Sequence, residues 1–114
     1  RRAANILRIE DRRDGPHAGP VDPALLTVAE ECALATALDV AEPTVQDSIG
    51  RERYDDAMRA LAALRTPLDA FFDKVTVNDA DPARRTNRLR LLARVGLAMG
   101  RAADFSRIEG LEKA

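Results

Sequence analysis

The spacing of apolar residues constrains the fold of this chain more than any other feature of its sequence. In the stretch LRTPLDAFFDKVTV (64–77), Leu68, Phe71, Phe72 and Val75 stand at positions i, i+3, i+4 and i+7. Residues at this spacing share one face of an α-helix. The pattern therefore predicts a helix that buries both aromatic side chains in a core.

Three pairs of residues, each a capping residue followed by proline, are typical of helix starts. They are Asp22-Pro23, Thr66-Pro67 and Asp81-Pro82. An Asp or Thr side chain accepts a hydrogen bond from an amide of the first turn, and proline lacks the N–H that would be unpaired there. We therefore expect helices to begin at these three places.

Composition and length agree with a small helical protein. The chain has 114 residues, of which 46% are hydrophobic and only 4% aromatic, with no tryptophan. This balance favours helices over a sheet, and the length suits one domain. We predict an all-α fold, a helical bundle of about five helices, in a single domain over residues 1–114.

The sequence starts without methionine and has neither a signal segment nor a membrane-length apolar span, so we expect a piece of a longer cytoplasmic protein without membrane contact.

The other helices are predicted from the same periodicity. We expect residues 1–9 to end a helix, residues 10–21 to form a polar loop, and residues 41–52 to form a loop or short turn. The predicted core faces are Leu25, Ala29, Cys32 and Thr36 in the segment 22–40; Tyr54, Ala57, Met58, Leu61 and Leu64 in 51–65; and Leu91, Leu92, Val95 and Met99 in 81–104. Leu34 and Leu38 lie on another side of the 22–40 helix, which we therefore expect to be covered on two sides.

Side chains that could support covalent catalysis are scarce. His17 is the only histidine and lies in the Gly/Pro-rich stretch DGPHAGP (14–20), while Cys32 is the only cysteine and lies in an apolar helical run. A Ser-His-Asp triad would have to use His17, and a Cys-His pair would have to join His17 to Cys32. A buried thiol in a reducing compartment is the more ordinary role for such a cysteine, and we predict no catalytic residue.

Carboxylates are the remaining candidates for chemistry. Asp69 and Asp73 are four residues apart and lie beside the apolar stripe of their helix, where we expect them to face solvent. A metal site would have to add Asp79 and Asp81, and the sequence VNDADP (77–82) lacks the spacing of a calcium loop. We therefore predict no metal site.

Charge is sorted along the chain, although the net charge is only −1. Residues 1–21 carry a net +2, residues 22–81 a net −8, and residues 82–114 a net +5. If the two basic ends pack together, they form a local patch suited to an anion. On the helix predicted in 81–104, we expect the face opposite the core to carry Asn87, Arg90, Arg94 and Arg101. Arg84, Arg85 and Arg88 crowd the first turns of this helix, whose N-terminus also favours a phosphate. The alternative is that these arginines pair with Asp69, Asp73 or Asp79, and the sequence leaves both possibilities open.

Three segments together resemble a known family. ANILR (4–8), YDDAMRALAALRTPLDAFFDKVTV (54–77) and RRTNRLRLLARV (84–95) are similar to the C-terminal anticodon-binding domain of bacterial glycyl-tRNA synthetase beta subunits. The broader relation is to the helical DALR anticodon-binding domains of class I synthetases. The resemblance spans nearly the whole chain and implies the same helical fold.

The resemblance also implies a function and partners. The expected partner is the anticodon stem-loop of glycine tRNA, with the alpha subunit of the same synthetase reached through the rest of the beta subunit. Glycine attachment would take place on the alpha subunit, so ATP and Mg²⁺ are implied for the parent enzyme and no cofactor for this domain. Charge sorting and resemblance together give the expected RNA-binding residues: Asn5, Arg8, Arg84, Arg85, Asn87 and Arg88. Among these, we expect Arg84 and Arg88 to contact phosphates, and Asn87 or Arg85 to read bases.

Two other classes of function are compatible with the residues. A helical protein–protein docking module could use the acidic middle of the chain and would not bind RNA. An enzyme with an aspartate metal cluster is the third class, and the ligand spacing disfavours it.

Overall fold

The computed structural model describes residues 2–17, 19–77 and 79–113, with the side chains of residues 5–17, 19–77 and 79–101. This part of the chain forms five α-helices and no strand, which confirms the predicted all-α fold. A short 3₁₀ turn at Pro23–Leu25 precedes the second helix. The helices are α1 (Arg2–Asp14), α2 (Ala29–Gly50), α3 (Tyr54–Ala62), α4 (Arg65–Lys74) and α5 (Pro82–Lys113).

Helix α2 lies at the centre of the packing. It contacts α3, α4 and α5, while α1 packs on α5. The core is aliphatic apart from one ring, and its fully buried members are Leu34 and Leu38 of α2, Leu64 before α4, Phe71 of α4, and Leu89, Leu91 and Leu92 of α5. None of the helices, over the residues that the structure describes, combines the length and hydrophobicity that a bilayer span requires.

The aromatic helix α4 buries the face that its spacing predicts. Phe71 is fully buried and packs edge-on against Phe72, with ring centroids 5.8 Å apart. Phe72 and Leu68 are partly buried against the same core. Asp69 and Asp73 are exposed, as predicted. The two carboxylates therefore belong to the solvent face of a packed helix.

The start of α4 differs from the prediction by two residues. The helix begins at Arg65, its N-cap is Leu64, and Thr66 is inside the first turn instead of capping it. Leu64 already has a helical backbone, and its carbonyl accepts a hydrogen bond from the Leu68 N–H (2.9 Å). Pro67 then occupies the third helical position, where the missing N–H costs nothing because it would have no partner within the helix.

Helix α2 begins later than predicted. Asp22 caps only the 3₁₀ turn, where its carboxylate accepts a hydrogen bond from the Ala24 N–H (2.9 Å). The main helix starts at Ala29, because the Glu31 carboxylate accepts from the N–H of the N-cap residue Val28 (3.0 Å). A cap three residues inside the helix thus overrides the Asp-Pro pair at 22–23.

Helix α2 also ends later than predicted. It runs through Pro43 to Gly50, although we expected a loop or turn in 41–52. A proline inside a helix removes the hydrogen bond to the carbonyl four residues earlier, here that of Asp39. Both residues are exposed, so this carbonyl is open to water and the helix continues.

Only one of the two sides of α2 that we expected to be covered is buried. Leu34, Ala35 and Leu38 are buried, whereas Cys32 and Thr36 are exposed. The expectation of a buried thiol is therefore wrong, and the Cys32 thiol donates a hydrogen bond to the Leu26 carbonyl (3.2 Å) near the surface. The reason is that α3, α4 and α5 pack on the Leu34 and Leu38 side of α2 and leave the Cys32 and Thr36 side uncovered.

The remaining differences lie at the ends of elements. Helix α1 extends to Asp14, through residues that we expected in a loop. The Asp81 cap of α5 is confirmed, because its carboxylate accepts from the Ala83 N–H (3.0 Å). Met58 and Met99 are exposed instead of buried, whereas Leu91, Leu92 and Val95 are buried as predicted. The closing segment ADFSRIEGL (103–111) also resembles the family named above, and its side chains lie outside the described residues.

Candidate nucleic-acid interface

The two basic ends of the chain pack together through Arg85. The Arg85 guanidinium lies between two carboxylates of α1, with Nη2 2.6 Å from Oε1 of Glu10 and Nη1 2.9 Å from Oδ2 of Asp14. Glu10 is buried and Asp14 is exposed. The alternative partners named from the sequence, Asp69 and Asp73, do not pair with Arg85, because the C-terminal half of α1 occupies this position.

This cluster shifts the proton affinities of its members. The hydrogen bond from Arg85 lowers the pKa of the Asp14 carboxyl, and the contact with His17 lowers it further. The same two carboxylates raise the pKa of Arg85, so its charge is permanent. His17 itself is buried, with Nε2 2.9 Å from Oδ1 of Asp14 and 3.2 Å from the Glu10 carbonyl. The only histidine therefore ties the loop after α1 to that helix.

Arg88 forms a second, more deeply buried cluster. Its Nε donates to Oε2 of Glu31 (2.9 Å), and its Nη1 donates to the Thr76 carbonyl (2.7 Å) and to Asp79 (3.1 Å). Burial alone would lower the pKa of Arg88, but the Glu31 and Asp79 carboxylates together more than offset this and raise it. The pKa of Asp79 is lowered, first by the Asp81 N–H and then by Arg88. Arg88 therefore joins α2, α5 and the segment between α4 and α5.

Asn87 is buried, although we expected it on the face opposite the core. Its Oδ1 accepts a hydrogen bond from the Asp22 N–H (2.7 Å), and its Nδ2 donates to the Asp22 carbonyl (3.2 Å). The side chain thus holds the 3₁₀ turn against α5. Arg94, also expected on that face, pairs with Glu42 (2.6 Å) and Asp39 (2.9 Å) of α2.

The other three predicted RNA-binding residues face solvent at least in part. Asn5 and Arg8 are exposed on α1, and Arg84 is half-exposed with its Nε 3.8 Å from Asp81. Asp81 also supplies a carboxylate to the first turn of α5, so the anion that stabilises this helix N-terminus is one of the protein's own side chains. RNA contact by Asn5, Arg8 and Arg84 stays a prediction.

The six predicted residues thus divide by burial. Arg85, Asn87 and Arg88 form hydrogen bonds inside the protein, and a direct contact with RNA would have to break these bonds.

The sequence carries a signal for the Arg88 partner: Glu31 precedes Leu34, Ala35 and Leu38 at helical spacing. A carboxylate in an apolar stripe indicates a buried cation nearby.

A cleft that we did not predict lies beside these clusters. It has a volume of about 320 Å³ and is lined by α1, by the end of α4 and by the residues that follow it. Ile6, Ile9 and Glu10 form one wall, and Phe72, Val75 and Thr76 contribute to the other. A larger apolar groove of about 730 Å³ runs along α2, past Cys32, Thr36 and Val40.

Side chains of the types that bind metal ions do not form a metal site in the described part of the chain. Within it, no group of three or more His, Cys, Asp or Glu residues is placed to hold a metal ion. Asp79 accepts hydrogen bonds from Arg88 and from the Asp81 N–H, so these bonds occupy its carboxylate.

The all-α fold of the described residues agrees with the family that comparison with known proteins gives. Residues 1–113 match the DALR anticodon binding domain, and the chain belongs to this family. The most similar relatives include the glycine–tRNA ligase beta subunits of Rhodospirillum centenum, 54% identical over 112 residues, and Phenylobacterium zucineum, 49% identical over 110 residues. That of Methylobacillus flagellatus is 44% identical over 108 residues. The matches cover 95–96% of this chain but only 15–16% of each relative.

Proposed function

We propose that this chain recognises the anticodon loop of glycine tRNA as one domain of a glycyl-tRNA synthetase beta subunit. The observation that carries the proposal is the match to the DALR anticodon binding domain over residues 1–113. Identity of 44–54% with glycine–tRNA ligase beta subunits supports the choice of tRNA. Glycine attachment, with its ATP and Mg²⁺, belongs in this proposal to the alpha subunit, reached through other parts of the beta subunit in the cytoplasm.

The distribution of charge supports this role. The middle of the chain is acidic, so the domain does not attract polyanions over its whole surface. Exposed cations on α1 and at the start of α5 can hold phosphates, while single-stranded loop bases are read by their edges and faces. Among the predicted contacts we retain Asn5, Arg8 and Arg84 as direct ones. Arg85, Asn87 and Arg88 support the surface from inside, because their side chains are already bonded to other elements.

Footprinting of glycine tRNA tests the proposal. We expect the whole beta subunit to protect the anticodon loop. A beta subunit from which this 114-residue domain is deleted should leave that loop unprotected while its other tRNA contacts persist. Equal protection of the anticodon loop by both proteins would refute the proposal.

A single variant tests the role of Arg84. Arg84→Gln should weaken tRNA binding for every anticodon and reduce the salt dependence of affinity by about one phosphate contact. Arg65→Gln is the matched control, because Arg65 is an exposed arginine near the start of α4. Equal effects of the two variants would remove Arg84 from the interface.

The docking alternative has a surface in the groove along α2, but no partner of defined chemistry is indicated for it. Anticodon recognition is therefore the function that we advance.

A further inference from the structure

The cleft between α1 and the end of α4 has an exposed apolar wall. Ile9 lines it with 56% of its surface accessible, and Ile6 and Val75 continue the apolar lining. The volume of about 320 Å³ is at the lower end of the range for small-molecule sites, roughly 300–1,000 Å³. The cleft therefore has room for one small flat group.

Both walls are fixed by the buried arginines. Arg85 holds the Glu10 carboxylate on the α1 wall at 2.6 Å, and Arg88 holds the Thr76 carbonyl on the other wall at 2.7 Å. Both bonds join groups of the protein itself, so the walls need little reordering when the cleft is filled. Such preorganisation reduces the entropic cost of binding.

The chemistry around the cleft is that of a nucleobase site. Phe72 contributes an aromatic side chain, which the larger groove along α2 lacks among its lining residues. On α1, Asn5, Arg12 and Arg13 are neighbours of Ile9 at i−4, i+3 and i+4, and all three are exposed. Aromatic and apolar surfaces stack on unpaired bases, and nearby cations hold the phosphates that flank such a base.

We propose that this cleft receives one unstacked base of an RNA loop. The base lies between Phe72 and Ile9, and the adjoining phosphates lie along the exposed side of α1. The inference rests on the proposed function and deepens it, because it assigns a base-binding position that charge alone did not indicate.

The test uses fluorescence anisotropy to measure how the whole beta subunit binds anticodon stem-loop hairpins of glycine tRNA. One series of hairpins lacks the base at a single loop position, each position in turn. The variants are Phe72→Leu and Ile9→Ala, with Val40→Ala as the matched control, since Val40 is also β-branched and is 65% exposed on α2. Circular dichroism confirms that each protein is folded.

We expect removal of one particular base to weaken binding to the unchanged protein by roughly 5- to 150-fold, the range for base–aromatic stacking. Removal of the same base should weaken binding by a smaller factor in Phe72→Leu and Ile9→Ala, and by the same factor as in the unchanged protein in Val40→Ala. If Phe72→Leu fails to fold, Ile9→Ala decides alone, because it shortens a side chain at the surface.

Two results would contradict us, and they differ from each other. In the first, the protein binds the hairpins, and base removal weakens binding equally in Ile9→Ala, Phe72→Leu and the unchanged protein. This result overturns the cleft as a base site and leaves anticodon recognition standing. A protein that does not bind the hairpins overturns the proposed function, and the base site with it.

Discussion

The buried pair of Glu31 and Arg88 offers a direct test of how the tertiary structure is held. The Glu31 side chain is 0% exposed and that of Arg88 is 4% exposed. Glu31→Gln keeps the size of the side chain but removes its charge, which leaves Arg88 with only the partly exposed Asp79 as a counter-ion. Removing one partner of a buried pair costs roughly 3–5 kcal/mol, and we expect about 3 kcal/mol here because Asp79 remains.

Urea denaturation followed by circular dichroism measures this loss. At an m-value of about 2 kcal/mol/M, the unfolding midpoint should fall by about 1.5 M, a large part of a total stability of roughly 5–15 kcal/mol. The control is Asp69→Asn, because the pair of Arg65 and Asp69 is 4.0 Å apart and its side chains are 87% and 69% exposed. This exposed pair should contribute less than about 0.5 kcal/mol.

A double variant separates charge from packing. Glu31→Leu combined with Arg88→Met should recover part of the loss, since apolar side chains of similar size often replace a buried ion pair without cost. Full recovery is not expected, because the Thr76 carbonyl and Asp79 also lose their bonds to Arg88. A midpoint for Glu31→Gln no lower than that of the Asp69→Asn control would refute the reasoning, because Arg88 would then not depend on Glu31 for its charge balance.

Three further measurements test other parts of the structure. Phe71→Ala should lower the free energy of unfolding by roughly 3–5 kcal/mol, because it empties a fully buried site, and a loss below about 1 kcal/mol would place Phe71 outside the core. Asp14→Asn should destabilise the protein at neutral pH, where the carboxylate is ionised beside Arg85. Since the folded pKa of Asp14 is lowered, this difference should shrink as the pH falls past the ordinary value of about 3.9 and vanish below the lowered folded pKa. A difference independent of pH in thermal melts would contradict it. Cys32 should react with a thiol reagent in the native protein at the rate of an exposed cysteine, whereas reaction only after denaturation would restore the buried assignment.

The sequence by itself determined the fold class and the strongest elements. Phe71 is buried because its spacing with Leu68 and Phe72 places the three on one helical face, and Asp81 caps α5 because its carboxylate reaches an amide two residues away. These features depend on neighbours within about two helical turns. Local sequence was sufficient for them.

The tertiary structure decided which face of α2 is buried and which arginines are available. Helix α2 has small or apolar residues on more than one side, so its periodicity did not distinguish Cys32 from Leu34, and packing against α3, α4 and α5 made the choice. The partner of Arg88 is 57 residues away in the chain and that of Arg85 is 75 residues away. Pairing over such distances depends on how the helices meet, which is why arginines predicted to bind RNA lie in the interior, where they hold the walls of a cleft that no local pattern predicts.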